Sequence, residues 1–233
     1  MTAMTEVLPP VVASAREAFQ FWGCTEIRES LGIRADSERH LIERLETVPP
    51  ESIYYHTVRS LLRRRVVPGP YPNDFANWVA VEVRDSVLAE RLAFNSPFDF
   101  HDMEEFREHL LAILDDHLSR LPFAPRGITG RPFFFLRGHL AAVPLELEAP
   151  DLRSFRTAMA SVDESSIYYH WVESIGRLGN PRGDFAAWVE DALGLPGLAR
   201  RFSEIDPFVL SLAAVRTRVL GLLDEQLTRE GDR

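Results

Sequence analysis

The sequence predicts a mainly α fold of two pseudo-twofold related helical repeats, with room for a small β element at the start of each repeat. Three observations predict it. A five-residue motif occurs twice, further matches run collinear with it, and apolar residues recur at helical period between Pro/Gly-rich loops.

Ser52-Ile53-Tyr54-Tyr55-His56 returns letter for letter as Ser166-Ile167-Tyr168-Tyr169-His170, 114 positions on. The same offset pairs Phe19 and Phe21 with Phe133 and Phe135, and Leu41 with Phe155. Downstream, Asp74-Phe75-Ala76-Asn77-Trp78-Val79 answers to Asp184-Phe185-Ala186-Ala187-Trp188-Val189 at an offset of 110. The four lost residues fall where Val66 to Pro72 faces the shorter Leu178 to Gly183, and loops absorb such changes. The organisation is therefore a repeat over 14–121, a linker over 122–130 and a second repeat over 131–230.

Within a repeat the elements follow in order. Phe19 to Gly23 and Pro132 to Arg137 are short aromatic runs that fit strands, and Val143 to Leu147 fits a separate partner strand. A helix carries Leu41, Ile42 and Leu45 behind a cap at Asp36 or Ser37. The next starts at Ser52 after Pro49-Pro50, with Ser52 as the cap rather than a nucleophile. Asp74 or Asn73 caps a third, bearing Phe75, Trp78 and Val79. The last runs from about Asp102 to Arg120, with Phe106, Leu110, Ile113, Leu114 and Leu118 at helical spacing.

Composition excludes much chemistry. All 26 basic residues are arginine, so no lysine can form a Schiff base or serve a phosphate-binding loop. A net charge of −9 argues against nucleic acid as partner, and the run Arg63-Arg64-Arg65 reads as a solvated helix end. One cysteine, Cys24, excludes an intrachain disulfide and a multi-cysteine zinc site. No apolar run is long enough to span a membrane and the start lacks signal-peptide character, so a soluble, cytoplasmic protein is expected. Neither a nucleophile elbow nor a dinucleotide fingerprint occurs. Zinc-protease and di-iron helix spacings are absent, so no metal and no cofactor is expected. Glu105, His109, Asp116 and His117 read as one solvated helix.

Two small clusters remain. Only His56 and His170, of seven histidines, occupy matching positions. The candidate ligand-binding residues are Tyr54, Tyr55, His56, Asp74 and Trp78 in the first repeat and Tyr168, Tyr169, His170, Asp184 and Trp188 in the second. Imidazole titrates near neutral pH, a carboxylate can orient it, and the rings can stack on a sugar or an aromatic ligand. The competing reading is structural: each histidine ties its helix to the start of the aspartate helix, a buried polar pair kept twice. The structural reading is favoured, because His and Asp without a nucleophile make a weak catalytic signal.

With both motifs in view, the chain resembles an uncharacterised prokaryotic family of unknown function. That family's pattern is Ser-Ile-Tyr-Tyr-His followed by Asn-Asp-Phe-Ala-x-Trp. Ser52 to His56 and Asn73 to Trp78 match it; the second repeat matches except that Gly183 stands for the asparagine. The resemblance brings no activity with it. Two functions stay open. One is a non-catalytic binding, scaffold or enzyme-accessory protein for an unknown protein or small molecule, with homo-oligomerisation compatible. The other is an enzyme or small-ligand binder, carbohydrate included, that uses the Tyr/His/Asp/Trp clusters.

Overall fold

The computed structural model describes residues 14–63, 69–121, 130–175, 182–208 and 210–231. Residues 122–129 of the expected linker and parts of both inter-motif loops, at 64–68 and 176–181, lie outside these residues.

The fold class is corrected to α/β. Strand β1 runs Ser14–Ala35 over 22 residues and β2 runs Phe133–Asp151 over 19 residues; they pair in an antiparallel two-stranded sheet. These are long strands rather than a small element, so neither an all-α chain nor a purely helical repeat describes the molecule. The segment Val143 to Leu147 is not a separate strand but the later part of β2. At their first halves both strands alternate: Phe19 and Phe21 are buried with Gln20 and Trp22 exposed, and Phe133 and Phe135 are buried with Phe134 exposed.

The helices are α1 (Glu38–Leu45), α2 (Pro50–Thr57), α3 (Ser60–Arg63), α4 (Asp74–Trp78), α5 (Ser86–Ala93) and α6 (Met103–Ser119) in the first repeat. The second has α7 (Leu152–Ser161), α8 (Glu164–Tyr168), α9 (Gly183–Asp191), α10 (Pro196–Ser203) and α11 (Leu212–Gly231). π-helical turns follow α4 at Val79–Val83 and α8 at Tyr169–Glu173. The caps are local chemistry. Ser37, Asn73 and Asp102 each accept a backbone N–H of the first turn of α1, α4 and α6. Ser52 is not a cap: α2 begins at Pro50 behind Pro49, and the buried Ser52 hydroxyl donates to the Leu136 carbonyl at 2.8 Å.

The chain forms two compact units. Unit 1 comprises residues 1–24 and 142–233; unit 2 comprises 25–141. Each unit therefore joins the helices of one repeat to the leading strand end of the other. In unit 2, Phe133 and Phe135 of β2 enter a core with Leu41, Ile53, Phe75, Leu92 and Phe106. In unit 1, Phe19 and Phe21 of β1 pack on Phe155 of α7, with ring centroids 5.4 and 5.5 Å apart. Each fully buried side chain of this size contributes about 1.5–3 kcal/mol. The two aromatic anchors thus hold each exchanged strand end firmly.

Candidate functional site

In unit 2, His56 sits on the inner face of α2 with 3% of its surface exposed. The Leu136 N–H of β2 donates to Nε2 at 3.0 Å, so Nε2 is the acceptor and the proton resides on Nδ1. That Nδ1–H donates to Asp74 Oδ2 at 2.8 Å. Phe133 and Phe75 pack on the imidazole, with centroids at 4.6 and 5.5 Å. Burial pushes the His56 pKa down from its ordinary value, and the opposing pull of Asp74 does not restore it.

Asp74 has a second partner. Arg63 Nη2 bonds its Oδ2 at 2.5 Å, and the guanidinium lies 3.9 Å over the Tyr55 ring. Arg63 also reaches Glu26 Oε2 at 3.3 Å. Glu26 is buried enough that its carboxyl is pushed above the usual range, despite Arg63 and Arg59 beside it. Trp78 Nε1 donates to the Arg131 carbonyl at 2.8 Å, which fixes the indole against the start of β2. Tyr54 lines a hollow of about 240 Å³ with Glu51, Arg59 and Gly138, and the Arg59 guanidinium lies 5.5 Å over its ring.

Unit 1 repeats the plan. The Trp22 N–H of β1 donates to His170 Nε2 at 2.8 Å, and His170 Nδ1–H donates to Asp184 Oδ2 at 2.7 Å. Trp188 Nε1 donates to the Glu17 carbonyl at 2.8 Å. The strand donors Trp22 and Leu136, like the acceptors Glu17 and Arg131, stand 114 positions apart, the offset of the motifs themselves. The expected contact of each histidine with its aspartate is present in both units. Sequence reasoning missed the strand atoms that complete each histidine, because backbone groups carry no sequence signal.

The units differ at their surfaces. The tyrosine pair exchanges roles: Tyr55 is buried and Tyr54 half-buried, whereas Tyr168 is buried and Tyr169 half-buried. The π-helical turn that begins at Tyr169 accompanies this change. Asn77 accepts the Tyr71 N–H and donates to the Tyr71 carbonyl, both at 2.9 Å, and so straps residue 71 over α4. Its counterpart Ala187 cannot form that strap and lines a hollow of about 440 Å³ instead. Trp22, Tyr169, Trp188, Glu17, Asp184 and Asp191 face the same hollow. Trp22, Glu17 and Asp191 were not among the residues singled out from sequence; a tryptophan on the outward phase of a strand was the signal available.

The acidic and histidine side chains of α6 go separate ways. His109 pairs with Asn95, His117 with Asp85 and Asp116 with Arg91, and Glu105 accepts the His101 N–H. Among the described residues, no group of three or more His, Cys, Asp or Glu side chains is placed to hold a metal ion. No helix among them is long and apolar enough to cross a membrane.

No curated protein matches the chain. Among solved structures it is similar to OrfY from Thermoproteus tenax. The two are 28% identical and superpose with a TM-score of 0.75, over 91% of this chain and 96% of that one. A family of unknown function (DUF5752) matches residues 16–224, strands and both histidine clusters included. The chain belongs to that family of unknown function.

Proposed function

We propose that this chain is a soluble, cytoplasmic, non-catalytic binding protein. In this reading the duplicated His–Asp clusters hold the fold together, and the groove at Trp22, Tyr169 and Trp188 is its binding face. One observation carries it. In both units the histidine is buried and both ring nitrogens are taken up inside the fold, one by an aspartate and one by a strand N–H. An imidazole with no free lone pair cannot take a substrate proton without breaking a strand–helix bond. The groove supplies what a binding face needs: a concavity of ligand size, aromatic walls and a few polar groups. A π-helical turn at its wall fits as well, since such turns occur frequently at functional sites. The net charge of −9 and the single cysteine suit a reducing, aqueous compartment.

The four tryptophans make the test direct. Each gives one indole N–H signal in a heteronuclear spectrum. A ligand screen on the full chain is expected to move the signals of Trp22 and Trp188 and to leave those of Trp78 and Trp171 in place. Shifts confined to Trp78 or Trp171, or chemical conversion of a bound probe, would overturn the reading.

A further inference from the structure

We infer that a hollow of unit 1, walled by the end of α10, the turn after it and α11, binds an aliphatic α-amino acid as its zwitterion. The carboxylate is assigned to Arg218, the ammonium to Glu204 and the side chain to Ile205, Leu210 and Leu222. This hollow shares no lining residue with the groove of Trp22 and Trp188, so the inference does not rest on the reading of that groove.

The duplication supplies the argument. Helices α5 and α6 of unit 2 return in unit 1 as α10 and α11. Pro97-Phe98 and Pro207-Phe208 keep the offset of 110, and Leu114-Asp115 and Leu223-Asp224 stand 109 apart. One ion pair fixes this frame twice, Arg91 to Asp116 and Arg201 to Glu225, each at 2.7 Å. In unit 2 the frame is filled. Phe100 packs on Phe106 and His109, with centroids at 5.2 and 4.9 Å, and His109 bonds Asn95 at 2.7 Å. In unit 1 each of those groups is exchanged: Leu210 stands for Phe100, Val215 for Phe106, Arg218 for His109 and Ile205 for Asn95. The rings are gone, and a hollow of about 310 Å³ lies against Ile205, Leu210 and Arg218. Protein interiors pack densely, so space kept open in one copy and filled in the other points to an occupant.

The lining states what that occupant brings. Ile205 and Leu222 are buried and form an apolar floor with Leu210. Of the charged groups around it, Arg201 is held by Glu225, and Asp206 accepts the Phe208 N–H at 2.7 Å. Arg218 and Glu204 make no hydrogen bond or ion pair through their side chains among the described residues, and Arg218 acts on Glu225 by charge alone. Val209, which lies outside the described residues between Phe208 and Leu210, brings no charged side chain. A guanidinium and a carboxylate over an aliphatic floor match the three parts of an aliphatic amino acid, and guanidinium–carboxylate bonds are among the stronger ones. The volume is that of a small ligand site, apolar with a few polar groups at its rim.

The experiment is titration of the full chain, followed by calorimetry and by the methyl signals of Ile205, Leu210 and Leu222. The probes are leucine, 4-methylpentanoate without the ammonium, isoamylamine without the carboxylate, and glycine without the side chain. Leucine is expected to bind about tenfold or more tighter than each of the others, the order of one charge-assisted bond or one buried aliphatic side chain. It is expected to move the three methyl groups and to leave the indole signals of Trp22 and Trp188 in place. Arg218→Gln, at an exposed position, is expected to weaken leucine about tenfold. Leu210→Phe puts back the ring of unit 2 and is expected to abolish binding while unfolding stays cooperative. Equal binding of 4-methylpentanoate, isoamylamine or glycine overturns the assigned class. Leucine shifts confined to Trp22 and Trp188, or undiminished binding by Arg218→Gln, overturn the assigned hollow. No binding of leucine at millimolar concentration overturns the inference outright and leaves the reading of the Trp22 and Trp188 groove as it stands.

Discussion

At His56 one proton sits between two bonds that hold a strand and two helices together. Removing the ring leaves the Leu136 N–H and one contact of Asp74 unmet. His56→Ala is therefore expected to destabilise the chain by about 1–3 kcal/mol, measured by urea unfolding at pH 8. The pH dependence follows from the depressed pKa. Below 6.5 the unfolded chain takes up a proton that the folded site resists, because a protonated Nε2 would face the Leu136 N–H. Stability contributed by His56 is thus full above 6.5 and is lost as pH falls through the folded value. Glu38, raised by burial, acts in the opposite sense: its contribution is present below 4.5 and is lost as pH rises. Comparison of wild type with His56→Ala removes that background, and the stability gap between them should narrow from pH 8 to pH 5. A gap that widens on acidification would contradict the assigned tautomer.

Among the elements, the helices of the motifs were legible because their signals are local. Ser37, Asn73 and Asp102 cap where capping chemistry predicts, and the apolar stripe of α6 is continuous. The strands were legible only at Phe19 to Gly23 and Phe133 to Phe135. Beyond those ends much of each strand is exposed, so no apolar alternation marks it: residues 142–146 are all exposed, and Pro144 interrupts any β reading. Ser52 misled because a serine after proline is the ordinary cap, yet here the helix starts two residues earlier. The departure at Gly183 has a backbone cause. Its φ is +70°, and an added Cβ would lie 3.3 Å from the His170 and Trp171 carbonyls. Gly183→Ala is expected to cost about 1–2 kcal/mol, the penalty for a left-handed L-residue. Asn73, at φ −131°, instead caps with its side chain and donates to the Leu92 carbonyl, so Asn73→Ala should cost about 1–2 kcal/mol by lost capping. Thermal unfolding of both variants checks these values; a neutral Gly183→Ala would show that the turn relaxes.

For the whole molecule, the sequence displays the duplication and hides the exchange. Phe19 and Phe133 are equivalent, so either could serve either helix set, and no pattern of letters separates the two pairings. Strand length decides. β1 runs unbroken over 22 residues, and its leading end belongs to unit 1 whereas the helices that follow it belong to unit 2. A chain cut to residues 14–121 would keep His56 and lose Leu136, and would present Phe19 with no Phe155 or Phe185 to meet. It is expected to be unfolded or to self-associate by trading strand ends, as judged by light scattering. A folded, cooperative monomer would refute the exchange.

The exchange also sets a clock. Trp22 meets His170 across 148 positions, whereas His56 waits for Leu136 across only 80. At about 5–20 residues per second of synthesis, the first strand leaves the ribosome roughly 7–30 s before its histidine does. Unit 2 can close as soon as residue 141 emerges, and unit 1 must wait for the closing helices. During that interval the apolar leading end, with Phe19, Phe21 and Trp22, is on offer to whatever edge or groove passes. A slow codon stretch after residue 141 would widen the gap between the two closures and lengthen that exposure.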